Sequence, residues 1–275
     1  MTGKPEKIAV YGKGGIGKSV VATGLSAHYA QRGERVLHIG CDPKADSSVR
    51  LMPPGTFVRT VLDVVGDHPN AVSTSDIITR GRLGIDCCES GGPQPGLGCG
   101  GRGVARTLEF LDEMEVIEAG HYDVVLFDVL GDVVCGGFAA PLRRRFAEKV
   151  VIVTSEEPMA LFAANNVSKA VGIYAANGVT LAGLVANLRS PDANRAALER
   201  FAATLSTRIL AYIPRDPKIQ QAEVVQMTVV EHAPETESAA AIRGLGDCLR
   251  EIDPSRVPLP TPMADAALFQ FLKEM

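Results

Sequence analysis

A glycine-rich run near the start of the chain has the composition and spacing of a phosphate-binding loop. It satisfies the pattern G-x-x-x-x-G-K-[ST], follows an apolar segment typical of a strand and precedes a helical pattern, which is the context that the motif requires. Glycines let such a loop bend until successive backbone N–H groups point at phosphate oxygens, while Lys18 would neutralise the β- and γ-phosphates and Ser19 would bind Mg²⁺. We therefore predict a nucleotide site formed by Gly12, Lys13, Gly14, Gly15, Ile16, Gly17, Lys18, Ser19 and Val20.

Three carboxylates at or near the ends of predicted strands could complete the chemistry of a nucleotide site. Asp128 ends an apolar strand, where a carboxylate would hold Mg²⁺ through water. Asp42, within GCDPKADS, ends another strand and is placed to orient an attacking water, and Asp46 would respond to the γ-phosphate. Each carboxylate taken alone is also explained as a solvated side chain at a strand end. The prediction therefore depends on all three carboxylates meeting the glycine-rich loop.

The lysine at position 13 is an addition to the ordinary phosphate-loop pattern. An extra lysine early in this loop marks the deviant Walker A ATPases, and that resemblance implies a dimer in which Lys13 of one subunit reaches the phosphates bound by the other. Positive charge delivered across an interface stabilises the transferring phosphoryl group only when the dimer closes. Hydrolysis then becomes a switch between dimer geometries.

Two of the six cysteines lie in glycine-rich loops that suit a thiolate-ligated, negatively charged centre. Cys99 and Cys135 are each followed by Gly-Gly and a helical pattern, so backbone N–H groups and a helix N-terminus would approach that centre. A 4Fe–4S cluster usually needs four thiolates, and a two-fold dimer would supply them around its axis. Isolated cysteines in such loops are weak evidence alone, and the dimer implied by Lys13 strengthens it. We favour buried structural thiols for the other four, Cys41, Cys87, Cys88 and Cys248.

Strand-like and helix-like segments alternate along the chain and must position these residues. This alternation predicts an α/β P-loop fold of the deviant Walker A class, with a mostly parallel sheet flanked by helices on both faces. We expect a single domain over 1–275, with 253–275 as an extended C-terminal tail that ends in a short helix. The predicted strands are Lys7–Tyr11, Arg35–Cys41, Leu83–Cys88, Tyr122–Val129, Lys149–Thr154, Thr180–Asn187 and Arg208–Ile213. The predicted helices lie near Lys18–Arg32, Arg102–Ala119, Pro158–Ala176, Pro191–Ser206 and Glu235–Ile252.

Composition and charge exclude several classes of function. The 275 residues are 46% hydrophobic and 22% charged, which is ordinary for a globular protein and rules out wholesale disorder. The net charge of −4 leaves no basic footprint for nucleic acid and no polybasic membrane signal. No apolar run approaches the roughly 18 residues that a membrane span needs, and the first residues do not resemble a signal peptide. We therefore expect a cytoplasmic protein without a nucleic-acid or membrane partner.

Five segments together identify a family resemblance. YGKGGIGKS, GCDPKADS, ESGGPQPGLGCGGRGV, DVLGDVVCGGFAAP and AANNVSKA resemble the iron protein of nitrogenase and its nitrogenase-like relatives, over about Ile8 to His232. The resemblance implies a homodimer that donates electrons under MgATP hydrolysis, with one 4Fe–4S cluster bridging the subunits through Cys99 and Cys135 of each. It also implies two partners, a nitrogenase-like catalytic heterotetramer and a low-potential electron donor such as ferredoxin or flavodoxin.

The resemblance further implies roles for individual residues. Asp46 belongs to the first switch, and Asp128 with Asp132 begins the second, which leads directly into Cys135. A γ-phosphate that repositions Asp132 must then also shift a cluster ligand. Arg102 matches the arginine that docks on the partner and is ADP-ribosylated in some nitrogenase systems. The implied contacts to phosphates, Mg²⁺ and attacking water are Lys13, Lys18, Ser19, Asp42 and Lys44, and those to adenine and ribose are Asn187, Pro214, Arg215, Asp216, Gln221 and Glu223.

Departures from the family pattern bear on which member this is. CDPKADS and ESGGP are closer to nitrogenase iron proteins than to the chlorophyll-pathway reductases. The run Ser19–Leu25 nevertheless departs from the usual Ser-Thr-Thr-Thr-Gln-Asn, Cys88 stands in place of the usual valine, and the C-terminal extension is short. These departures favour the methylthio-alkane reductase system, with nitrogenase itself as the close alternative. A partitioning ATPase without a cluster is a lower alternative, and an iron–sulfur carrier would need a C-x-x-C pair that the sequence lacks.

Overall fold

The computed structural model describes residues 4–67, 72–93, 98–131, 136–143 and 146–275. Asp132 and Cys135 lie outside these ranges, so the structure does not bear on their predicted roles. Eight strands form one sheet: β1 (Glu6–Tyr11), β2 (Val36–Cys41), β3 (Thr79–Arg80), β4 (Asp86–Glu89), β5 (Val124–Val129), β6 (Lys149–Thr154), β7 (Thr180–Asn187) and β8 (Ile209–Ile213).

The strand order is β3-β4-β2-β5-β1-β6-β7-β8, and every neighbouring pair is parallel except β3 with β4. Asp128 near the end of β5 pairs with Val10 of β1 on one side and with Gly40 of β2 on the other. Because these three strands run in the same direction, the residues that follow them meet at one edge of the sheet. The topology therefore brings together the segments after Tyr11, Cys41 and Val129.

Helices cover both faces of the sheet. The longer ones are α1 (Lys18–Gln31), α4 (Gly100–Glu113), α7 (Pro158–Tyr174), α8 (Arg195–Thr204), α9 (Pro217–Val224), α11 (Glu237–Glu251) and α12 (Asp265–Lys273). The short helices are α2 (Val61–Asp67), α3 (Thr74–Ile77), α5 (Val116–Ala119), α6 (Ala140–Arg143) and α10 (Val229–His232). Four 3₁₀ turns span Ser47–Arg50, Arg82–Gly84, Ala175–Asn177 and Pro254–Arg256. Among the described residues, no helix is long and apolar enough to cross a membrane.

Two apolar layers bury the sheet, one on each face. Along β1, Ile8 and Val10 pack in one layer with α1 and α11, while Ala9 and Tyr11 pack in the other with α4, α7, α8 and α12. Successive side chains of a strand point to opposite faces, so a strand buried on both faces needs a continuous apolar run. The observed layers confirm the predicted α/β sheet with helices on both sides.

The predicted elements differ from the observed ones where the backbone turns locally. The strand predicted from Leu83 begins at Asp86, because Leu83 adopts the left-handed conformation (φ 55°) inside a 3₁₀ turn. The helix predicted over Arg102–Ala119 begins at Gly100 and is divided into α4 and α5 at Glu115, which is also left-handed (φ 52°). β3 and the helices α2, α3, α6, α9 and α10 were not predicted, because segments of eight residues or fewer show no clear periodic pattern.

Candidate functional site

A cavity of about 250 Å³ opens at the carboxyl ends of β1, β2 and β5. Parallel α/β sheets bind ligands at this edge, because the loops that follow the strands converge there. Eleven of the predicted nucleotide-site residues line it, together with Arg50 and the two residues that follow Asp128. The lining residues are Gly14, Gly15, Gly17, Lys18, Ser19, Val20, Asp42, Lys44, Asp46, Arg50, Asp128, Val129, Leu130 and Glu223.

The glycine-rich loop joins β1 to α1, which is the predicted strand–loop–helix arrangement. Gly12 has φ 144°, and a Cβ on it would lie 2.1 Å from the carbonyl oxygen of Val153, so only glycine fits there. Gly17 is left-handed (φ 101°) at the N-cap of α1. The side-chain amide of Asn187 donates a 2.7 Å hydrogen bond to the carbonyl of Ile16. The loop is thus packed against the end of β6 and hydrogen-bonded from the end of β7, with the N-terminus of α1 facing the cavity.

The two loop lysines have different surroundings. Lys18 is buried, lines the cavity and donates a 3.3 Å hydrogen bond from Nζ to the carbonyl oxygen of Lys13. Lys13 is half-buried, and its side chain is not among the described residues that line this cavity. One protomer therefore presents Lys18 to its own cavity and leaves the Lys13 side chain outside it.

Asp128 is a buried carboxylate with one oxygen hydrogen-bonded and the other without a partner in the described part of the chain. Its Oδ2 accepts a 2.5 Å hydrogen bond from the Ser47 hydroxyl, and its Oδ1 has no hydrogen-bond partner among the residues that the structure describes. Burial raises the pKa of Asp128, while the nearby Ser19 hydroxyl, the Ser47 hydrogen bond and the charge of Lys18 oppose that rise. A buried oxygen with an unfilled lone pair beside a phosphate-binding loop is suited to a cation or its water.

Asp42 and Asp46 flank the exposed side chain of Lys44 at the cavity mouth. Lys44 Nζ lies 3.6 Å from Asp42 Oδ2 and 3.8 Å from Asp46 Oδ2. The Lys44 backbone N–H also donates to Asp42 Oδ1 at 2.9 Å. Burial raises the pKa of Asp42, and both Lys44 contacts oppose the rise. The predicted water-orienting and switch carboxylates therefore share one cation, which a charged ligand could displace.

The residues predicted to contact adenine and ribose do not all gather at the cavity. Glu223 lines it and forms an ion pair with Arg50. Asp216 instead caps α9, accepting from the Lys218 backbone N–H at 2.8 Å and from the Ser238 hydroxyl at 2.5 Å. Five of the six predicted contacts fall outside the described cavity lining of a single chain: Asn187, Pro214, Arg215, Asp216 and Gln221.

Cys99 is exposed at the N-cap of α4, where the helix dipole favours a negatively charged group. Glycines on both sides of it are packed against Pro43. A Cβ on Gly92 or on Gly100 would lie 2.4 Å from a Pro43 side-chain carbon. Because Pro43 directly follows Asp42, the loop that carries Cys99 rests on a segment that also lines the nucleotide cavity.

The segment that follows Cys135 packs against the beginning of α4. A Cβ on Gly137 would lie 2.1 Å from the carbonyl oxygen of Gly101, so the two backbones are in direct contact. The Tyr11 hydroxyl donates a 3.0 Å hydrogen bond to the carbonyl of Phe138. The structure therefore brings the Gly-Gly pairs after the two predicted cluster ligands together, although Cys135 itself lies outside the described residues.

A groove of about 750 Å³ lies beside Cys99 on the surface of α4. Arg102 is exposed and lines it, together with Asp63, Arg106 and Glu109. The groove places the predicted docking arginine and Cys99 on one surface. The remaining cysteines lie elsewhere: Cys41, Cys87 and Cys88 are buried, which raises their pKa values, and Cys248 is half-buried on α11.

Three residues at these sites were missed by the sequence analysis. Arg50 lines the cavity from the end of a 3₁₀ turn, and Arg189 donates a 2.7 Å hydrogen bond to the carbonyl of Gly15. Pro43 connects the cavity to the Cys99 loop. Arg50 lies eight residues after Asp42 in the same loop, so its basic charge was a usable signal, whereas the contacts of Pro43 and Arg189 depend on the folded chain.

Glu89, at the end of β4, is a buried carboxyl group between the nucleotide side and the Cys99 loop. Its Oε1 accepts hydrogen bonds from the Ser48 backbone N–H and hydroxyl, both at 2.6 Å, while Oε2 has no partner in the described part of the chain. Burial raises its pKa from 4.5 to about 8, against the effect of the Ser48 hydrogen bonds. The native state thus retains a proton that the unfolded chain releases, and its stability should fall as pH rises from 4.5 through about 8.

We expect Glu89→Gln to reduce this loss of stability at high pH, because the amide cannot ionise. The melting temperature of the variant relative to the unsubstituted protein should rise by several degrees between pH 6 and pH 9, measured by thermal denaturation. Any cost of the amide hydrogens is present at both pH values and cancels from this difference. Glu235→Gln, at an exposed position, is the matched control and should leave the pH profile unchanged. Parallel profiles for Glu89→Gln and the unsubstituted protein would contradict the prediction.

Comparison with known proteins agrees with this architecture. A family model for 4Fe-4S iron sulfur cluster binding proteins, NifH/frxC family, matches residues 6–275. The nitrogenase iron protein of Methanococcus voltae is 40% identical over 264 residues, which cover 95% of this chain and 94% of that relative.

Two solved structures share the fold. The septum site-determining protein MinD of Pyrococcus horikoshii OT3, complexed with Mg-ADP, gives a TM-score of 0.70 at 22% identity over 90% of this chain and 96% of its own. A ParA family ATPase from Chlorobium tepidum TLS gives 0.69 at 16% identity over 90% of this chain and 100% of its own. These likenesses show the P-loop ATPase fold, and the family match over nearly the whole chain is more specific. The chain belongs to the NifH/frxC family of 4Fe–4S cluster binding proteins.

Proposed function

We propose that this protein is a homodimeric, MgATP-dependent reductase component that passes low-potential electrons from a subunit-bridging 4Fe–4S cluster to a nitrogenase-like catalytic partner. The observation that carries the proposal is the position of Pro43. It follows Asp42 of the nucleotide cavity and packs on Gly92 and Gly100, on either side of Cys99. A nucleotide site and a predicted cluster ligand are therefore connected through one residue.

The nucleotide half of the proposal rests on the cavity at the sheet edge. The glycine-rich loop and the N-terminus of α1 supply N–H donors for phosphate oxygens, and Lys18 supplies a positive charge. The Ser19 hydroxyl and the unpartnered Oδ1 of Asp128 are suited to Mg²⁺ and its water. Asp42 would orient the water that attacks the γ-phosphate. The Mg-ADP bound in MinD, which has this fold, is consistent with a nucleotide here.

The cluster half rests on the surroundings of Cys99 and Gly137. An exposed thiol at a helix N-terminus, between glycines with no room for a side chain, fits an anionic iron–sulfur centre approached by backbone N–H groups. The contact between Gly137 and Gly101 brings together the Gly-Gly pairs that follow the two predicted ligands in the sequence. Two such thiolates from each of two protomers would hold the cluster, which supplies one low-potential electron when bound. Arg102, on the same surface, would face the catalytic partner.

Coupling between the two halves follows from packing. Occupation of the cavity by a γ-phosphate would draw Lys44 away from Asp42 or Asp46 and move the segment that includes Pro43. Since Pro43 contacts glycines on both sides of Cys99, that movement would reach the cluster loop directly. A second route would run from Asp128 through Gly131, which lies against the glycine-rich loop, to Cys135. ATP binding could thus change docking and electron transfer without touching the cluster.

The identity of the catalytic partner is the finer part of the proposal. The departures at Ser19–Leu25 and Cys88 favour methylthio-alkane reductase, which cleaves a C–S bond, and the 40% identity to a nitrogenase iron protein keeps nitrogenase as the alternative. Reduced protein with MgATP should support methylthio-alkane cleavage by the first partner. Acetylene reduction with a nitrogenase catalytic component, and no cleavage with the first, would favour the alternative.

A partitioning ATPase is a second candidate, because MinD and ParA structures share the fold. Anaerobic purification distinguishes the two functions. The proposal predicts a coloured dimer with about four irons and an absorption band that bleaches on reduction and recovers when the protein, MgATP and a catalytic partner are combined. A colourless dimer that hydrolyses ATP would overturn the proposal and favour the partitioning function.

A further inference from the structure

A chain of buried hydrogen bonds extends from α1 to Asp128 through a histidine in β2. The Ser26 hydroxyl lies 2.9 Å from His38 Nδ1, His38 Nε2 lies 2.8 Å from the Ser47 hydroxyl, and that hydroxyl lies 2.5 Å from Asp128 Oδ2. All four side chains are buried, and Ser26 and His38 are fully inaccessible. The chain therefore connects the inside of the protein to the carboxylate that lines the nucleotide cavity.

Only one arrangement of protons satisfies this chain when Asp128 is ionised. The carboxylate can only accept, so the Ser47 hydroxyl donates to it, and Ser47 must then accept from His38 Nε2–H. Burial lowers the pKa of His38 to about 3, so the ring is neutral near pH 7 and its Nδ1 accepts from Ser26. Every donor in the chain thus points towards Asp128, and the Ser26 hydroxyl stabilises the tautomer that Asp128 requires by donating to His38 Nδ1.

The position of His38 within β2 indicates that its polar ring nitrogens serve the hydrogen-bond chain. It pairs with Leu126 of β5 and Cys87 of β4, both of which belong to the apolar layer on the α1 side of the sheet. A polar ring in such a layer carries a desolvation cost unless both nitrogens are hydrogen-bonded, and both are. An aliphatic residue would fill the same space but would leave the Ser47 hydroxyl without its donor.

We propose that His38 is a positioning residue for the Mg²⁺ of the nucleotide site. It fixes the Ser47 hydroxyl on Asp128 Oδ2, so that Asp128 Oδ1 stays available to Mg²⁺ or to its bound water. This inference rests on the proposed MgATP function. Ser47 begins the 3₁₀ turn directly after Asp46, so the chain also holds one end of the first switch segment in register with Asp128. His38 touches neither nucleotide nor metal in this account and acts through Ser47.

The test compares ADP affinity with and without Mg²⁺, by calorimetry on the full-length protein. His38→Leu should weaken ADP binding about tenfold in Mg²⁺ and leave the Mg²⁺-free affinity unchanged. The reason is that the variant disturbs only the orientation of the Asp128 carboxylate that faces Mg²⁺. His38→Gln keeps an amide that can donate to Ser47 and should stay within about threefold of the unsubstituted protein. Ser26→Ala removes the donor to His38 Nδ1, which stabilises the required tautomer, and should weaken the Mg²⁺-dependent affinity about threefold.

Ser168→Ala is the control, because it removes another fully buried helix hydroxyl, one that bonds only its own helix at Ala164. It should leave both affinities unchanged. Equal losses with and without Mg²⁺ in His38→Leu and Ser26→Ala, or no loss in Mg²⁺ in these two variants, would overturn the inference. If His38→Leu does not fold, Ser26→Ala still decides it by the same ratio. An unsubstituted protein whose ADP affinity is independent of Mg²⁺ would overturn the proposed function and this inference with it.

Discussion

Replacing Cys99 by alanine should remove the iron–sulfur cluster from both protomers of the dimer. A two-fold cluster site loses two of its four thiolates when one position is changed, because each subunit contributes the same residue. Iron should fall from about four atoms per dimer to near zero, together with the visible absorption of the oxidised protein. Anaerobic purification with iron analysis measures the first, and absorption spectroscopy measures the second.

Two measurements separate loss of the cluster from loss of the fold. Cys99 does not line the nucleotide cavity, so Cys99→Ala should still bind MgADP with the affinity of the unsubstituted protein. Cys248→Ala changes a half-buried thiol on α11, which packs on the opposite face of the sheet from α4, and should retain its iron. Full iron content in Cys99→Ala, or equal loss in Cys248→Ala, would contradict the assignment of Cys99 as a ligand.

Much of the site could be predicted because the residues that form it lie in short contiguous segments of the sequence. The loop Gly12–Ser19 needs backbone angles that glycine alone adopts, as Gly12 and Gly17 show, so its sequence identifies it without knowledge of the fold. The strands before it and before Asp42 and Asp128 are continuous apolar runs, and parallel pairing then requires their ends to meet. Local pattern and topology were sufficient for these positions.

Contacts between distant segments could not be predicted in this way. Pro43 packs on Gly92 and Gly100 about fifty residues away, and nothing in GCDPKADS indicates that pairing. His38 stands in an apolar strand as an ordinary interruption until its ring is seen between two serines. Glu115 separates α4 from α5 and adopts a left-handed conformation that its residue type does not favour. In each case the tertiary structure outweighs the local preference.

The incomplete base-side contacts also have a physical reason. Of the six residues predicted to contact adenine and ribose, only Glu223 lines the cavity. Asp216 instead caps α9 and accepts a hydrogen bond from Ser238. Lys13 likewise presents its side chain outside the described lining of its own protomer's cavity. A site that is shared between two protomers would leave such residues outside the lining in either protomer alone. The family resemblance implies a second copy of the chain at this site, which the structure of a single chain does not contain.

The proposed dimer, with Lys13 acting across its interface, predicts that Lys13→Gln and Lys18→Gln protomers rescue one another. In a mixed dimer, one cavity has an unsubstituted Lys18 from its own protomer and an unsubstituted Lys13 from the other, while the second cavity lacks both. If Lys13 acts across the interface, purified mixed dimers should recover about half of the unsubstituted ATPase rate, while either variant alone is nearly inactive. If Lys13 acts within its own protomer, each cavity of the mixed dimer lacks one lysine and no activity returns.

Differently tagged protomers purified through both tags supply these mixed dimers, and steady-state phosphate release measures the rate. A mixed dimer of the unsubstituted protein with a Lys13→Gln protomer provides the matching control, since it also contains one complete cavity and should show the same half rate. Because Lys18 contacts the Lys13 backbone carbonyl and not its side chain, Lys13→Gln should leave the loop and MgADP binding intact. An inactive mixed dimer beside an active control would locate Lys13 in its own protomer's cavity and overturn the shared site.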